Sequence, residues 1–232
     1  MRSVLLVCGL LVLSALSGCT SLNPTVIAVL AADQSAELQQ PLDLTVLEER
    51  VDEICDGCSI EVYDAASDAD TQSDQLDEAL AASADIVILD PVDPELAESL
   101  VQRADAVPVI ALGAAVSGAD WFVGLSEPAP AAEGADSDLE AAREVILRDR
   151  DTFTFVPAAE MSAKAADVAV GELVGDPVSG SVDNEGVPSW LFDPVEVTVN
   201  DLTTVVVARG ALSLDELCAG TTAKRCAQLG LV

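Results

Sequence analysis

From Val26 onward, short apolar runs alternate with stretches in which apolar residues recur three or four positions apart. Residues 26–30 form an unbroken apolar run of strand length, and Val46, Leu47, Val51 and Ile54 then fall at helical spacing up to a stop at Gly57. The same alternation continues with a strand at 60–63 and a helix carrying Leu76, Ala79 and Leu80, for which Asp68 and Thr71 are N-cap candidates. A strand at 86–89 leads through a proline-bounded turn at 91–94 into a helix at 95–104, and strands follow at 109–112 and 121–125. Continuous β-branched runs separated by helices predict a parallel sheet covered on both faces. Right-handed crossovers then make it an α/β fold, a doubly wound parallel sheet.

The rhythm breaks at 126–137, where Pro, Ala, Glu and Asp follow one another without apolar periodicity, as in a surface linker. Beyond it the pattern predicts a helix at 139–147, a strand at 152–156 and a long helix at 159–174. A Gly/Ser/Asp-rich loop follows at 175–186. Strand-like runs at 189–192 and 195–199 and a helical stretch at 202–208 close the pattern ahead of two cysteines. The chain carries no internal repeat.

The first residues follow a different logic. Met1-Arg2-Ser3 precedes an apolar run of about 13 residues, and the run ends in Leu16-Ser17-Gly18-Cys19. The run is too short for the roughly 20 residues that span a bilayer as a helix, so 1–18 reads as a removable signal peptide. The Leu-Ser-Gly-Cys ending is that of a lipobox, which makes Cys19 the lipidation site and 19–25 a lipid-anchored tether. Acyl chains contribute about 0.8 kcal/mol per buried CH₂, enough for two or three chains to hold a protein on a membrane. The expected location is therefore extracytoplasmic, anchored to a bacterial membrane at the cell surface or in the periplasm.

Composition narrows the function. With 41 acidic and 10 basic residues the net charge is −31, which argues against a nucleic-acid partner, since phosphate binding needs a basic surface. The charge reads as a solvated surface. There is no histidine, so the commonest general base and the commonest metal ligand are both missing. The aspartates at 64, 68, 70, 74 and 77 fail the calcium-loop pattern, which needs Gly at the sixth position and Glu at the twelfth. No nucleophile elbow and no phosphate-cradling loop is present. Trp121 and Trp190 lie in strand-like apolar contexts that suit core packing better than stacking on a sugar. The expectation is a protein that is not an enzyme and uses no metal or other cofactor. With Cys8 and Cys19 set aside, Cys55, Cys58, Cys218 and Cys226 allow three pairings. An exported chain favours disulfides, and we expect the local pairs 55 with 58 and 218 with 226. A redox Cys-x-x-Cys motif would want its first cysteine at a helix N-terminus, whereas Cys55 ends a helical pattern; a Cys₄ zinc site is the other alternative.

Several stretches resemble sugar-binding proteins of ABC importers, in the ribose and xylose branch of the type I periplasmic binding proteins. Ala84-Asp85-Ile86-Val87-Ile88-Leu89-Asp90-Pro91-Val92-Asp93 and Val107-Pro108-Val109-Ile110-Ala111 carry the resemblance, with Cys55-Asp56-Gly57-Cys58 before the second strand. Gly134-Ala135-Asp136-Ser137-Asp138-Leu139 is similar to the family's Gly-Gln-Asp-Ala-Asp/Glu-Leu turn. Thr152-Phe153-Thr154-Phe155 matches its return to the first lobe. The most specific stretch, Val187-Pro188-Ser189-Trp190-Leu191-Phe192-Asp193-Pro194-Val195, is close to the family's Val-Pro-Ser-x-Leu-Leu-Asp-Pro-Val.

The resemblance implies two α/β lobes closing on a ligand, yet between 125 and 139 only the acidic linker stands where a second lobe of about a hundred residues belongs. It implies a single lobe of the type I fold: 26–125 as its first part, 126–138 as linker in place of the second lobe, and 139–232 as the return segment and tail. The family's basic and aromatic sugar contacts are absent from Asp33-Gln34-Ser35-Ala36-Glu37-Leu38-Gln39-Gln40, and its Asp-Arg pair is replaced by Leu112-Gly113-Ala114-Ala115. Asp136 is the one ligand-contact position carried over. The implied function is that of a lipoprotein related to an importer's sugar-binding component, with weak or absent sugar binding. The alternative is a single-lobe envelope scaffold or protein-interaction lipoprotein. The implied partners are a sugar, an ABC permease or other envelope protein, and the membrane through its anchor.

Overall fold

The computed structural model describes residues 24–35, 40–127 and 137–231. Cys19, Asp136 and the signal-peptide region at 1–18 lie outside the described residues. A seven-stranded sheet organises the larger body, in the order β2-β1-β3-β4-β5-β8-β7. Its strands are β1 (Thr25–Ala31), β2 (Cys58–Asp64), β3 (Ile86–Leu89), β4 (Val109–Gly113), β5 (Trp121–Leu125), β7 (Val182–Asn184) and β8 (Val187–Phe192). All neighbours run parallel except β7 with β8. β3 is buried along its whole length, which is why Ile-Val-Ile-Leu shows no polar alternation.

Helices α1 (Leu44–Ile54) and α5 (Ala158–Val174) cover one face, packing Leu47, Val51, Met161 and Ala165 on Ile27, Val29, Ile88 and Ile110. α2 (Ala69–Ala81) and α3 (Pro94–Ala104) cover the other through Leu76, Ala79, Ala97 and Leu100. Both tryptophans belong to the first face: Trp190 is buried there, and Trp121 packs against the same cluster.

Many of the acidic residues have local structural work. Asp43, Asp68 and Asp93 cap α1, α2 and α3, accepting from the backbone N–H of Val46, Thr71, and Glu95 with Leu96, at 2.6–3.2 Å. Two further aspartates clip the starts of parallel strands. Asp85 donates its N–H to the Val26 carbonyl and accepts the Val26 N–H on Oδ2 at 2.8 Å, and Asp120 does the same with Val109. Each clip satisfies an N–H at the end of a ladder.

Residues 138–231 are shared between two bodies. α5, β7 and β8 join the large sheet, while α4 (Asp138–Leu147), β6 (Thr152–Phe155), β9 (Val195–Thr198), a π-helical segment (Leu202–Val207), α6 (Leu214–Leu217) and α7 (Ala223–Leu229) gather around a separate apolar cluster. There β6 and β9 pair as a two-stranded antiparallel sheet. Neighbouring residues are divided between the two cores: Phe155 packs into the small body and Val156 into the large one, and Phe192 and Val195 divide likewise across Asp193-Pro194. β7 falls in the stretch expected to be loop. It is made by a two-residue turn, Glu185-Gly186, with φ of 54° and 91°, both left-handed as a tight hairpin matching the sheet twist requires.

Candidate functional site

In a doubly wound sheet the strand order reverses between β1 and β3, and ligands of such folds collect beyond the strand C-termini at that point. Here Ala32 and Asp33 follow β1, Asp64 ends β2, Asp90 follows β3 and Gly113 ends β4. Most of the polar groups turn inward to the chain itself. Asp33 accepts from the Ser35 N–H at 2.8 Å and from the hydroxyls of Ser35 and Ser67, both at 2.6 Å. Asp64 accepts from the N–H groups of Ala66 and Gln34, at 2.9 and 3.2 Å. Gln72, fully buried, donates to the Asp90 carbonyl at 2.7 Å and accepts from the Val92 N–H at 3.0 Å, fixing the turn after β3.

Among the described residues, Asp90 is the one strongly perturbed carboxyl. Burial pushes its pKa up to about 6, against the opposing pull of the Ala32 N–H at 3.3 Å. Beside it, Gly113 holds φ +80°, and a Cβ there would come within 2.5 Å of the Pro41 ring. Pro41 therefore roofs the end of β4.

The two bodies meet beside this edge. A cavity of about 310 Å³ lies between Gln34, Gln40 and Asp43 on the large body and Asp138, Phe155 and Ala211 toward the small one. It adjoins a second cavity of about 320 Å³, sharing Asp138, Phe155 and Ala211 and otherwise lined by Leu139, Phe153, Val206 and Leu212. Arg209 spans the junction. Its guanidinium lies 3.4 Å from Glu160 of α5 and 5.8 Å over the Phe155 ring. The chain crossing at Asp193 is tied to the end of β5, since Ser126 donates its N–H to the Phe192 carbonyl and its hydroxyl to Asp193.

Of the residues singled out from sequence, Asp136 lies outside the described residues, while Ser137 and Asp138, just after it, line the second cavity. Cys55 is bonded to Cys58 and Cys218 to Cys226, away from the cleft. Asp90 and Phe155 stand in stretches that carry the resemblance but have no site role there, and neither has Arg209. Asp90 follows a buried strand directly, a placement that does signal a switch-point group; Arg209 had no local signal. Among the described residues no group of three or more Asp, Glu, Cys or His could hold a metal, and no helix is long and apolar enough to cross a membrane.

No family model and no curated protein matches the chain. Solved structures do. An ABC-transporter solute-binding protein from Clostridium phytofermentans with bound β-D-glucose aligns at TM-score 0.64 and 10% identity, over 83% of this chain and 100% of that one. One from Bacillus halodurans C-125 with bound myo-inositol aligns at TM-score 0.58 and 15% identity, over 82% and 99%. The TorS sensor domain–TorT complex gives 0.55 and 11%, over 84% and 95%. At these identities the likeness is one of fold: the mainly parallel sheet between helices is that of the type I periplasmic binding proteins.

Proposed function

Proceeding from the type I periplasmic binding fold, we propose that the chain is an exported lipoprotein, anchored through Cys19 and related to the sugar-binding component of an ABC importer. In this reading its own cleft binds sugar weakly or not at all. The observation that carries it is the condition of the strand ends. Asp33 turns both carboxylate oxygens, and Asp64 its Oδ1, to the chain's own N–H and hydroxyl groups, and Pro41 occupies the space over Gly113. A tight sugar site needs polar groups converging on the ligand, an aromatic face to stack on, and burial of most of its surface. Phe155, the aromatic ring that lines both cavities, already carries Arg209 on its face. The small body, with two strands, offers a shelf in place of an enclosing second lobe, and 126–138 stands where that lobe would be inserted.

Calorimetric titration with D-glucose, D-ribose, D-xylose and myo-inositol tests the reading. No saturable heat is expected below millimolar sugar; micromolar binding of any of them overturns it. For the anchor, fatty-acid labelling of the chain in a bacterial host is expected, and Cys19→Ala is expected to abolish it; labelling that persists refutes the anchor.

The likeness to the TorS sensor domain–TorT complex favours a second reading, a protein-interaction role in the envelope. A silent sugar panel together with a recovered protein partner would select it.

A further inference from the structure

The two faces of the large sheet are not covered equally. α5 packs against β3, β4 and β5 on one face, whereas on the other α2 packs against β1 and β2, and the apolar cluster of α2 and α3 extends no further into β5 than Phe122. Beyond Phe122, among the described residues, no helix packs on β8 and β7 on that face. Phe122 takes part of that place with its own ring, which lies across Gly124 so closely that a Cβ there would come within 2.1 Å of it. Past Phe122 the face stays open: Leu191 is 38% and Val182 51% exposed, and strand pairing sets both on the same side as buried Ser189. Between α3 and the β7–β8 turn this face deepens into a groove of about 430 Å³, floored by Val116, Phe122 and Val187.

The rim of the groove is acidic. Glu95 and Glu98 stand on α3 and Glu185 on the hairpin turn, all exposed. Glu98 accepts from Gln102 at 3.0 Å, and among the described residues none of the three enters an ion pair. An apolar floor with unpaired carboxylates above it complements a side chain with an apolar stem and a cationic head. A second copy of this chain is the wrong occupant, because it would bring an identical rim and another net charge of −31 to the contact.

We propose that the open face of β5, β8 and β7, with the groove beside α3, docks a basic amphipathic segment of a partner protein, Arg or Lys heads pairing with Glu95, Glu98 and Glu185 over apolar contacts to Phe122 and Leu191. The groove shares no lining residue with the two cavities between the bodies, and the proposal does not depend on whether the cleft binds sugar.

The test titrates the intact chain with a fluorescent, capped peptide of alternating Arg and Leu, its counterpart with Glu for Arg, and agmatine. Saturable binding of the Arg-Leu peptide alone is expected, weakening severalfold as salt screens the rim. Glu95→Gln/Glu98→Gln/Glu185→Gln and, separately, Leu191→Asp should each weaken it about tenfold, near 1.4 kcal/mol. Glu48→Gln/Glu49→Gln/Asp52→Asn, which removes as many exposed charges from α1 on the opposite face, should change it less than twofold. Equal losses from the two triple variants would mean that the overall negative field does the binding, and would overturn the proposal. Agmatine binding as tightly as the peptide, or a dimer dispersed by Leu191→Asp, would overturn it as well.

Discussion

Replacing Asp90 by Asn tests the energetics of the switch point directly. In the unfolded chain this carboxyl ionises near 3.8; in the folded one burial moves it to about 6. The folded state therefore holds the proton more tightly, and between those values stability falls as pH rises. Each unit is worth 1.36 kcal/mol, so a shift of about two units places an upper bound of about 3 kcal/mol on what the ionised carboxylate removes from stability at neutral pH. Asp90 is only half-buried, and water reaching it reduces this to about 1–3 kcal/mol. Asn keeps the shape and an oxygen for the Ala32 N–H while removing the charge. Urea unfolding of both proteins at pH 4.5, 6 and 7.5 should find Asp90→Asn more stable by less than about 1 kcal/mol at the lowest pH, and by about 1–3 kcal/mol at the highest. The other acidic residues titrate alike in both proteins and cancel in the difference. A variant less stable than the parent at pH 7.5, or a difference that does not change with pH, would refute the reasoning.

Three further outcomes follow from the packing. Gly113→Ala puts a Cβ at left-handed φ and into the Pro41 ring, and should cost about 2–4 kcal/mol by chemical denaturation; a loss below 1 kcal/mol would show that Pro41 does not roof the β4 end. Removing the 218–226 disulfide should lower stability by about 2–3 kcal/mol, and the shorter 55–58 loop by about 2 kcal/mol, measured as melting shifts of Cys→Ser pairs; the reverse order would contradict the loop-length argument. Arg209→Ala should increase amide exchange in β6 and β9 while leaving β1 to β4 protected, because its half-exposed contacts to Glu160 and Phe155 join the two bodies at a strength of about 1 kcal/mol. Uniform loss of protection would place the effect in the large core instead.

The parallel strands of the large sheet and the helices between them are legible in the sequence. Runs such as Ile86–Leu89 are buried on both faces and so read as continuous apolar strands, and the proline-bounded turn at 91–94 announces a helix start because first-turn preferences act locally. The absence of basic and aromatic groups after β1 was equally legible, since composition needs no coordinates. Tertiary structure alone decided what depends on pairing across distance. Val182-Asp183-Asn184 has no strand pattern of its own and becomes β7 only because the Glu185-Gly186 turn sets it beside β8. Thr152–Phe155 and Val195–Thr198 read as ordinary strands, and nothing local says that they pair with each other away from the large sheet. The perturbation of Asp90 likewise comes from burial supplied by the surrounding structure, and the meeting of Arg209 with Glu160 and Phe155 from residues some fifty positions earlier in the chain. Periodicity records which face of an element is covered. It carries no information on which element covers it, and the cleft and the open groove are both made from that second choice.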